Sequence, residues 1–204
     1  MANFRFPIPP DLVLEGPYLR LVPMQAEHLD DLVLAGQDAR TWQFYSFDAS
    51  VRSRMERFVT ETLAEQAAGT KFPFVMICKD NNQIIGSSSL YEFSPHQNLE
   101  VGHTWIDAQH WGQGYNEAAK LLMLGYCFEQ LRLLRVHFKV WDQNQRSQRA
   151  MLRIGATFEG FTRRHIIRED GIVRTSAIFS ILDKEWEGVK AGLVGVVNSH
   201  KKVD

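Results

Sequence analysis

Residues 105–120, WIDAQHWGQGYNEAAK, carry glycines at 112 and 114 between a strand-like apolar run and a helix-like one. Glycines at such a turn let backbone N–H groups approach an anion closely, and the start of the following helix adds about half a positive charge. The chemistry implied is the cradling of a phosphate. The spacing matches neither GxGxxG nor GxxxxGK[ST], which argues against NAD and ATP. A tight strand-to-helix turn that holds no ligand is the competing reading of a lone Gly-x-Gly.

Proton-transfer candidates surround this loop. Glu100 and His103 stand on the strand before it, where a carboxylate or an imidazole could take a proton from an attacking group. Strict alternation sends them to opposite faces. Asn144 and Ser147 open a later helix pattern, where Asn144 suits the cap position. Arg146, Arg149 and Arg153 recur on that helix, as either a phosphate-facing stripe or a solvated face. Arg163, Arg164, His165 and Arg168 form a second basic cluster, suited to an acidic acceptor or, less well, to nucleic acid. Tyr91 and Tyr126 could supply pocket hydroxyls or simply pack. Cys78 and Cys127 belong to no CxxC pair, so core thiols are expected, with neither a disulfide nor an activated nucleophile. Seven scattered histidines show no ligand spacing such as HExxH, and no metal is expected.

The elements that must position these groups follow from periodicity. Residues 18–23 read as a strand, 25–38 as an amphipathic helix with Leu29, Leu32, Val33 and Gly36 on one face, and 51–68 as a second helix ended by Gly69. A hairpin is expected at 72–78 and 83–91, then a strand at 99–106. Residues 115–130 form a helix apolar around much of its girth, so it should be largely buried. The run 133–141 alternates as a strand, and 144–154 is helical with Ser147, Ala150, Met151 and Ile154 on one face, stopped by Gly155. Strands at 157–168 and 172–182 turn at Glu169, Asp170 and Gly171, and a short helix should start at Asp183. Dense aromatics at 41–47 mean a lined cleft or a minor core.

The run Gln109, His110, Trp111, Gly112, Gln113, Gly114 fits a Gln/Arg-x-x-Gly-x-Gly/Ala signature, and here the chain resembles the GNAT superfamily of acyl-CoA-dependent N-acyltransferases. Asn144, Ser147 and the turn from Arg153 to Ala156 add to the likeness, as does the order of elements from about 18 to 189. The segments YLRLVPM, EVGHTWI, FEGFTRRHIIREDG and FSILDKEW are similar to the RimJ/RimL branch, whose members acetylate N-termini of ribosomal proteins. The resemblance implies an α/β (α+β) fold: a mixed, mostly antiparallel twisted sheet of about seven strands flanked by helices. It also implies coenzyme A contacts from Trp105, Ile106, Gln109, Gly112, Gln113, Gly114, Tyr115, Asn116 and Asn144. Glu100 flanks the acetyl group in this picture and is the candidate base. Ser147 lies beside the pantetheine arm and is the candidate proton donor to the leaving thiolate. A backbone N–H at 103–106 would hold the oxyanion. Two positions depart from the family: residues 116–120 read NEAAK, and Met151 stands where a tyrosine acid is frequent.

Composition agrees with a single soluble domain. The chain has 204 residues, 45% of them hydrophobic, enough for one substantial core. A net charge of -1 argues against nucleic acid or anionic lipid as the main partner. With no membrane-length apolar run and no signal-peptide core, a cytoplasmic location is expected. One domain over 1–204 is anticipated, with an extended leader at 1–17, a core at about 18–189 and a tail at 190–204. The expected activity is acetyl transfer from acetyl-CoA to a primary amine by direct attack, the acceptor being a protein or peptide N-terminus or a small amine. A coenzyme-binding regulatory module without catalysis is the alternative. The apolar run GLVGVV at 192–197 could add a strand to a homodimer or cover the surface.

Overall fold

A computed structural model describes residues 6–200. The run Lys71–Cys78 does not alternate in polarity, and as a strand it must therefore be covered on both faces. All eight of its residues are buried at the centre of one half of the sheet. The strands are β1 (Leu14–Glu15), β2 (Leu19–Pro23), β3 (Lys71–Cys78), β4 (Ile84–Ser94), β5 (Asn98–Ile106), β6 (Arg135–Trp141), β7 (Thr157–Ile167) and β8 (Val173–Leu182), in the spatial order β1-β2-β3-β4-β5-β6-β8-β7. The fold is mixed α/β, with eight strands where about seven were expected. Every neighbouring pair is antiparallel except β5 and β6.

Helices α1 (Leu29–Gly36), α2 (Arg52–Ala68), α3 (Tyr115–Gly125), α4 (Gln145–Arg153) and α5 (Trp186–His200) cover the sheet. Alternation along β3 feeds two cores. Phe74 and Met76 join Leu19, Leu90, Leu99, Met123 and Phe179 in one. Val75 and Ile77 join Leu32, Trp42, Met55, Phe58 and Trp105 in the other. The second helix ends as its sequence demands, on Gly69 at φ 70°, and α3 closes in a wider π-helical turn, Tyr126–Gln130.

The two chain ends differ from expectation. Within the leader, β1 pairs with β2, and Phe6, Ile8 and Leu12 pack against the main core. At the other end Leu182, not Asp183, occupies the cap position, with its N–H donating to Glu185 Oε2 at 2.9 Å. The helix that follows is long: it runs through the GLVGVV segment and buries Leu193 and Val197 in the main core. The tail is thus part of the core rather than an added strand. Residues 201–204 lie outside the described residues. Among the described residues no helix is long and apolar enough to cross a membrane.

Two features of the sheet create the site. Parallel pairing of β5 with β6 spans only Asn98↔Arg135 to Glu100↔His137, and beyond it the strands part. On the other side of β5, register slips: Ser89 faces Gly102 and Ser87 faces Trp105, so two residues, His103 and Thr104, lie opposite Ser88. This bulge puts His103 at φ 48°.

Candidate active site

Two cavities meet at the gap between the parted strands. The first, about 480 Å³, is lined by Trp105, Ile106, Gly112, Gly114, Tyr115 and Asn116 from the strand, loop and helix start, and by Asn144, Arg146 and Ser147 of the facing helix. Gly112 at φ 77° and Gly114 at φ 82° hold the loop in the left-handed region, which glycine enters without steric cost. A Cβ at Gly112 would meet nothing within 4 Å, so the loop faces open space there. Two expected contributors stand back from this cavity. Gln113 Nε2 donates to the Gln109 carbonyl at 2.7 Å, and the Gln109 N–H donates to Asp107 Oδ1 at 3.1 Å, so both brace the loop.

Trp111, whose place in the loop has no signal beyond the glycine spacing, also lines this cavity. Its indole N–H donates to the Ile106 carbonyl at 2.8 Å, and the Arg146 guanidinium lies 3.8 Å from a ring centroid, joining the loop to α4 across the cavity. Arg153 pairs with Glu117 at 3.0 Å. Arg149 does not line the cavity, so only part of the basic stripe faces it. Asn144 caps α4 as expected, accepting the Ser147 N–H at 3.0 Å.

The second cavity, about 460 Å³, lies on the other side of Ser147. Thr104, Asn116, Asn144, Ser147 and Ala150 line both cavities. Glu100 is 1% exposed here, not the surface carboxylate its strand position allowed. Its Oε1 accepts from Tyr91 Oη, and Lys139 Nζ sits 3.0 Å from Oε2. Gly102 makes this arrangement possible, since a Cβ there would lie 2.7 Å from Tyr91 Oη and 3.1 Å from Glu100 Oε1. Lys139 Nζ also bonds Glu92 Oε1 at 2.5 Å, and the hydrogen bond with His137, followed by this one, holds the Glu92 carboxyl down at about 2.

His103 does not occupy the opposite face from Glu100. The bulge swings its ring to 4.7 Å from that of Tyr91, and both line the second cavity. Burial, then the charges of Lys71 and Arg174, pull its pKa down to about 3. Its Nδ1 is 3.1 Å from Lys71 Nζ, so a neutral ring accepts a hydrogen bond there.

Lys120, which no sequence motif marks, also lines the second cavity. It is 2% exposed, donates to Thr104 Oγ1 at 2.7 Å, and burial lowers its pKa to about 7. Met151 is buried against the cavity and brings no ionisable proton. Tyr126 lies away from both cavities, whereas Phe44, Tyr45 and Phe47 line the second one. The aromatic segment is thus both cleft and minor core, because Trp42 packs 5.0 Å from Trp105 in the interior. Both cysteines are buried and free.

Residues 18–157 match the family described as Acetyltransferase (GNAT) domain. The chain belongs to the GNAT acetyltransferase family. It is an N-acetyltransferase that uses acetyl-CoA as donor. Among relatives, YdaF of Bacillus subtilis (strain 168), which carries the provisional name ribosomal N-acetyltransferase, is 27% identical over 172 residues, covering 83% of this chain and 92% of its own. A crystal structure from T. thermophilus, provisionally titled an acetyltransferase, is 32% identical at TM-score 0.83, covering 92% of this chain and 97% of that one. Mycobacterium smegmatis RimJ, solved with CoA-disulfide, shares the fold at TM-score 0.75 and 20% identity, over 91% of this chain and 94% of that one. In this GNAT chain the glycine loop and the capped α4 fall where the sequence expectation put them. In the second cavity Tyr91 was a candidate from the sequence, whereas Lys120, Lys139 and Arg174 carry no motif that marks them.

Proposed function

We propose that the first cavity takes the coenzyme arm and the second takes a primary amine, with direct attack on the thioester at the residues they share. The observation that carries this reading is the junction itself: Thr104, Asn116, Asn144 and Ser147 border both cavities, so a substrate held in each would meet the other there. Gly112, Gly114, Tyr115 and Asn116 would receive the pyrophosphate at the start of α3, where free N–H groups and the helix dipole favour anions. Trp105, Ile106 and Asn144 would flank the arm, with Gln109 and Gln113 acting by holding the loop.

An amine attacks only when neutral, and it must lose a proton as the new bond forms. Glu100 is the proposed base: it is buried, lines the amine cavity, and is fixed by Tyr91 and Lys139. His103 is the weaker choice, because its Nδ1 is taken by Lys71 and its proton affinity is low. The oxyanion would be met by backbone N–H groups on the unpaired edge of β5 past Glu100. Ser147 would pass a proton to the departing thiolate, directly or through water. Neither buried cysteine lines either cavity, which favours direct attack over an acyl-enzyme.

The test is thiol release from acetyl-CoA in the presence of a panel of N-terminal peptides and small amines. Release that depends on an amine and yields its acetamide is the expected result. Coenzyme binding with no release across the panel would convert the reading to a binding module.

A further inference from the structure

The cations around the amine cavity are not equally satisfied. Lys139 is shared by Glu92 and Glu100, and Lys71 is paired with Glu65. Arg168, stacked 4.5 Å over Trp141, pairs with Asp170. Lys120 has no carboxylate within ion-pair distance among the described residues, and burial drives it toward the neutral form. Arg174 differs from all of these. Trp141, the last residue of β6, pairs with Ser176, so Arg174 stands two residues further along β8, past the end of β6, and lines the cavity. Its Nε donates to Ser176 Oγ at 2.9 Å and its Nη2 to the Lys139 carbonyl at 3.5 Å. Both partners are neutral, and among the described residues no carboxylate lies within ion-pair distance of its guanidinium.

A guanidinium cannot shed its proton, so partial burial with no carboxylate in contact carries a desolvation cost that the more distant Glu100 offsets only in part and a docked anion would relieve further. Burial is the chief influence on this group, acting against its charge. The Ser176 hydroxyl, having accepted from Arg174, is left to donate to His165 Nε2 at 2.9 Å, which holds the guanidinium in place from behind. Carboxylates Glu92 and Glu100 approach the same cavity from β4 and β5, across the gap from β8.

One wall of the cavity is tied down. Segment 43–47 is fastened to the β7–β8 turn: Arg57 pairs with Glu169, the Glu169 N–H donates to the Ser46 carbonyl at 3.3 Å, and Arg168 Nη1 donates to the Gln43 carbonyl at 3.4 Å. The cavity beside it, about 460 Å³ and open to solvent on one side, is the size of a small-molecule site.

We propose that Arg174 is the docking point for a carboxylate on the acceptor, making the preferred substrate a small amine that carries its own carboxylate, in the class of free amino acids with apolar side chains. The carboxylate would lie on the guanidinium fork, the amine would face Glu100, and Phe44, Tyr45 and Trp141 would hold the apolar part. This rests on the acetyltransferase reading above and narrows its acceptor.

The test uses matched pairs: L-methionine, L-leucine and L-phenylalanine against their carboxamides, with acetyl-CoA and the full chain. The acids should exceed the amides about 10-fold or more in kcat/KM, mainly through KM, since one anion contact is lost in the amide. Arg174→Gln should erase that preference by weakening the acids alone, and Arg174→Lys should restore part of it. Equal use of acids and amides overturns the proposal, as does an Arg174→Gln that slows both alike, or a preference for neutral N-terminal peptides over every free acid. A binding readout needs no turnover: N-acetyl-L-methionine and its amide titrated calorimetrically into wild type and Arg174→Gln, with and without coenzyme A. Failure of the acid to bind better than the amide in wild type sinks the carboxylate site. Coenzyme A titrated alone, with turnover of the amides, reports separately on the acetyltransferase reading.

Discussion

The Nζ of Lys120 donates to Thr104 Oγ1 at 2.7 Å, and that same oxygen lies 2.7 Å from Ser88 Oγ, so a lysine on α3 is joined by one hydroxyl to the bulged strand beneath the cavity junction. A neutral amine suffices as donor for this contact, which is why so buried a lysine is tolerated.

Lys120 should give the fold a pH signature. Its pKa is about 7 folded against 10.5 for the ordinary group, so between these values the unfolded chain binds more protons, and stability rises with pH. Below about pH 7 the lysine must be charged in both states, and the fold bears the full cost of burying it. Thermal melts between about pH 6.5 and pH 8.5 should rise with pH in wild type and run flatter in Lys120→Met, which should also melt higher at the acid end. Parallel curves would mean that Lys120 keeps its charge in the fold.

Glu100→Gln should lower kcat by about 10²-fold or more, the usual scale of a lost general base, while coenzyme affinity changes little. Steady-state rates over a pH series, paired with coenzyme titration, check both halves. An unchanged rate profile would assign the proton to another group.

At Gly102 the prediction concerns packing. Ala would place a Cβ 2.7 Å from Tyr91 Oη, forcing the tyrosine off Glu100 and costing about 1–3 kcal/mol as an overpacked site does. Denaturant unfolding gives the loss. The further expectation is that Gly102→Ala impairs turnover more than Tyr91→Phe, because it displaces the carboxylate as well as the hydroxyl.

Gly112→Val should abolish coenzyme binding while leaving circular dichroism unchanged. The new side chain meets no protein atom at its Cβ, so the damage falls on the loop's left-handed φ of 77° and on the space before it. Retained coenzyme affinity would place the phosphates elsewhere.

The last helix offers a stability test. Leu193 is 2% exposed within the main core, and Leu193→Ala should cost about 2–5 kcal/mol. A change within about 0.5 kcal/mol would show that the helix is docked loosely.

The readable parts of the sequence were those governed by short-range rules. Alternation in 133–141, the glycine stop at 69 and the Gly-x-Gly turn into α3 are local, and each element formed within a few residues of its expected bounds. His103 went astray because period two fails at a bulge, and the bulge depends on pairing with Ser88 on another strand. The GLVGVV segment has no polar face to mark it as a helix, and only its docking on the main core fixes its state. Lys120 and Arg174 are ordinary polar residues in sequence; what distinguishes them is burial and the neutral company they keep, both set by the tertiary fold.

The short pairing of β5 with β6 also changes how many edges the sheet has. An open sheet presents two, here β1 and β7, yet past Glu100 and His137 the parted strands add two more inside the molecule. An exposed edge invites another chain to pair with it, and proteins ordinarily blunt such edges. These inner edges are walled by α3, α4 and the aromatic segment, the kind of covering that keeps a sheet edge from pairing with another chain.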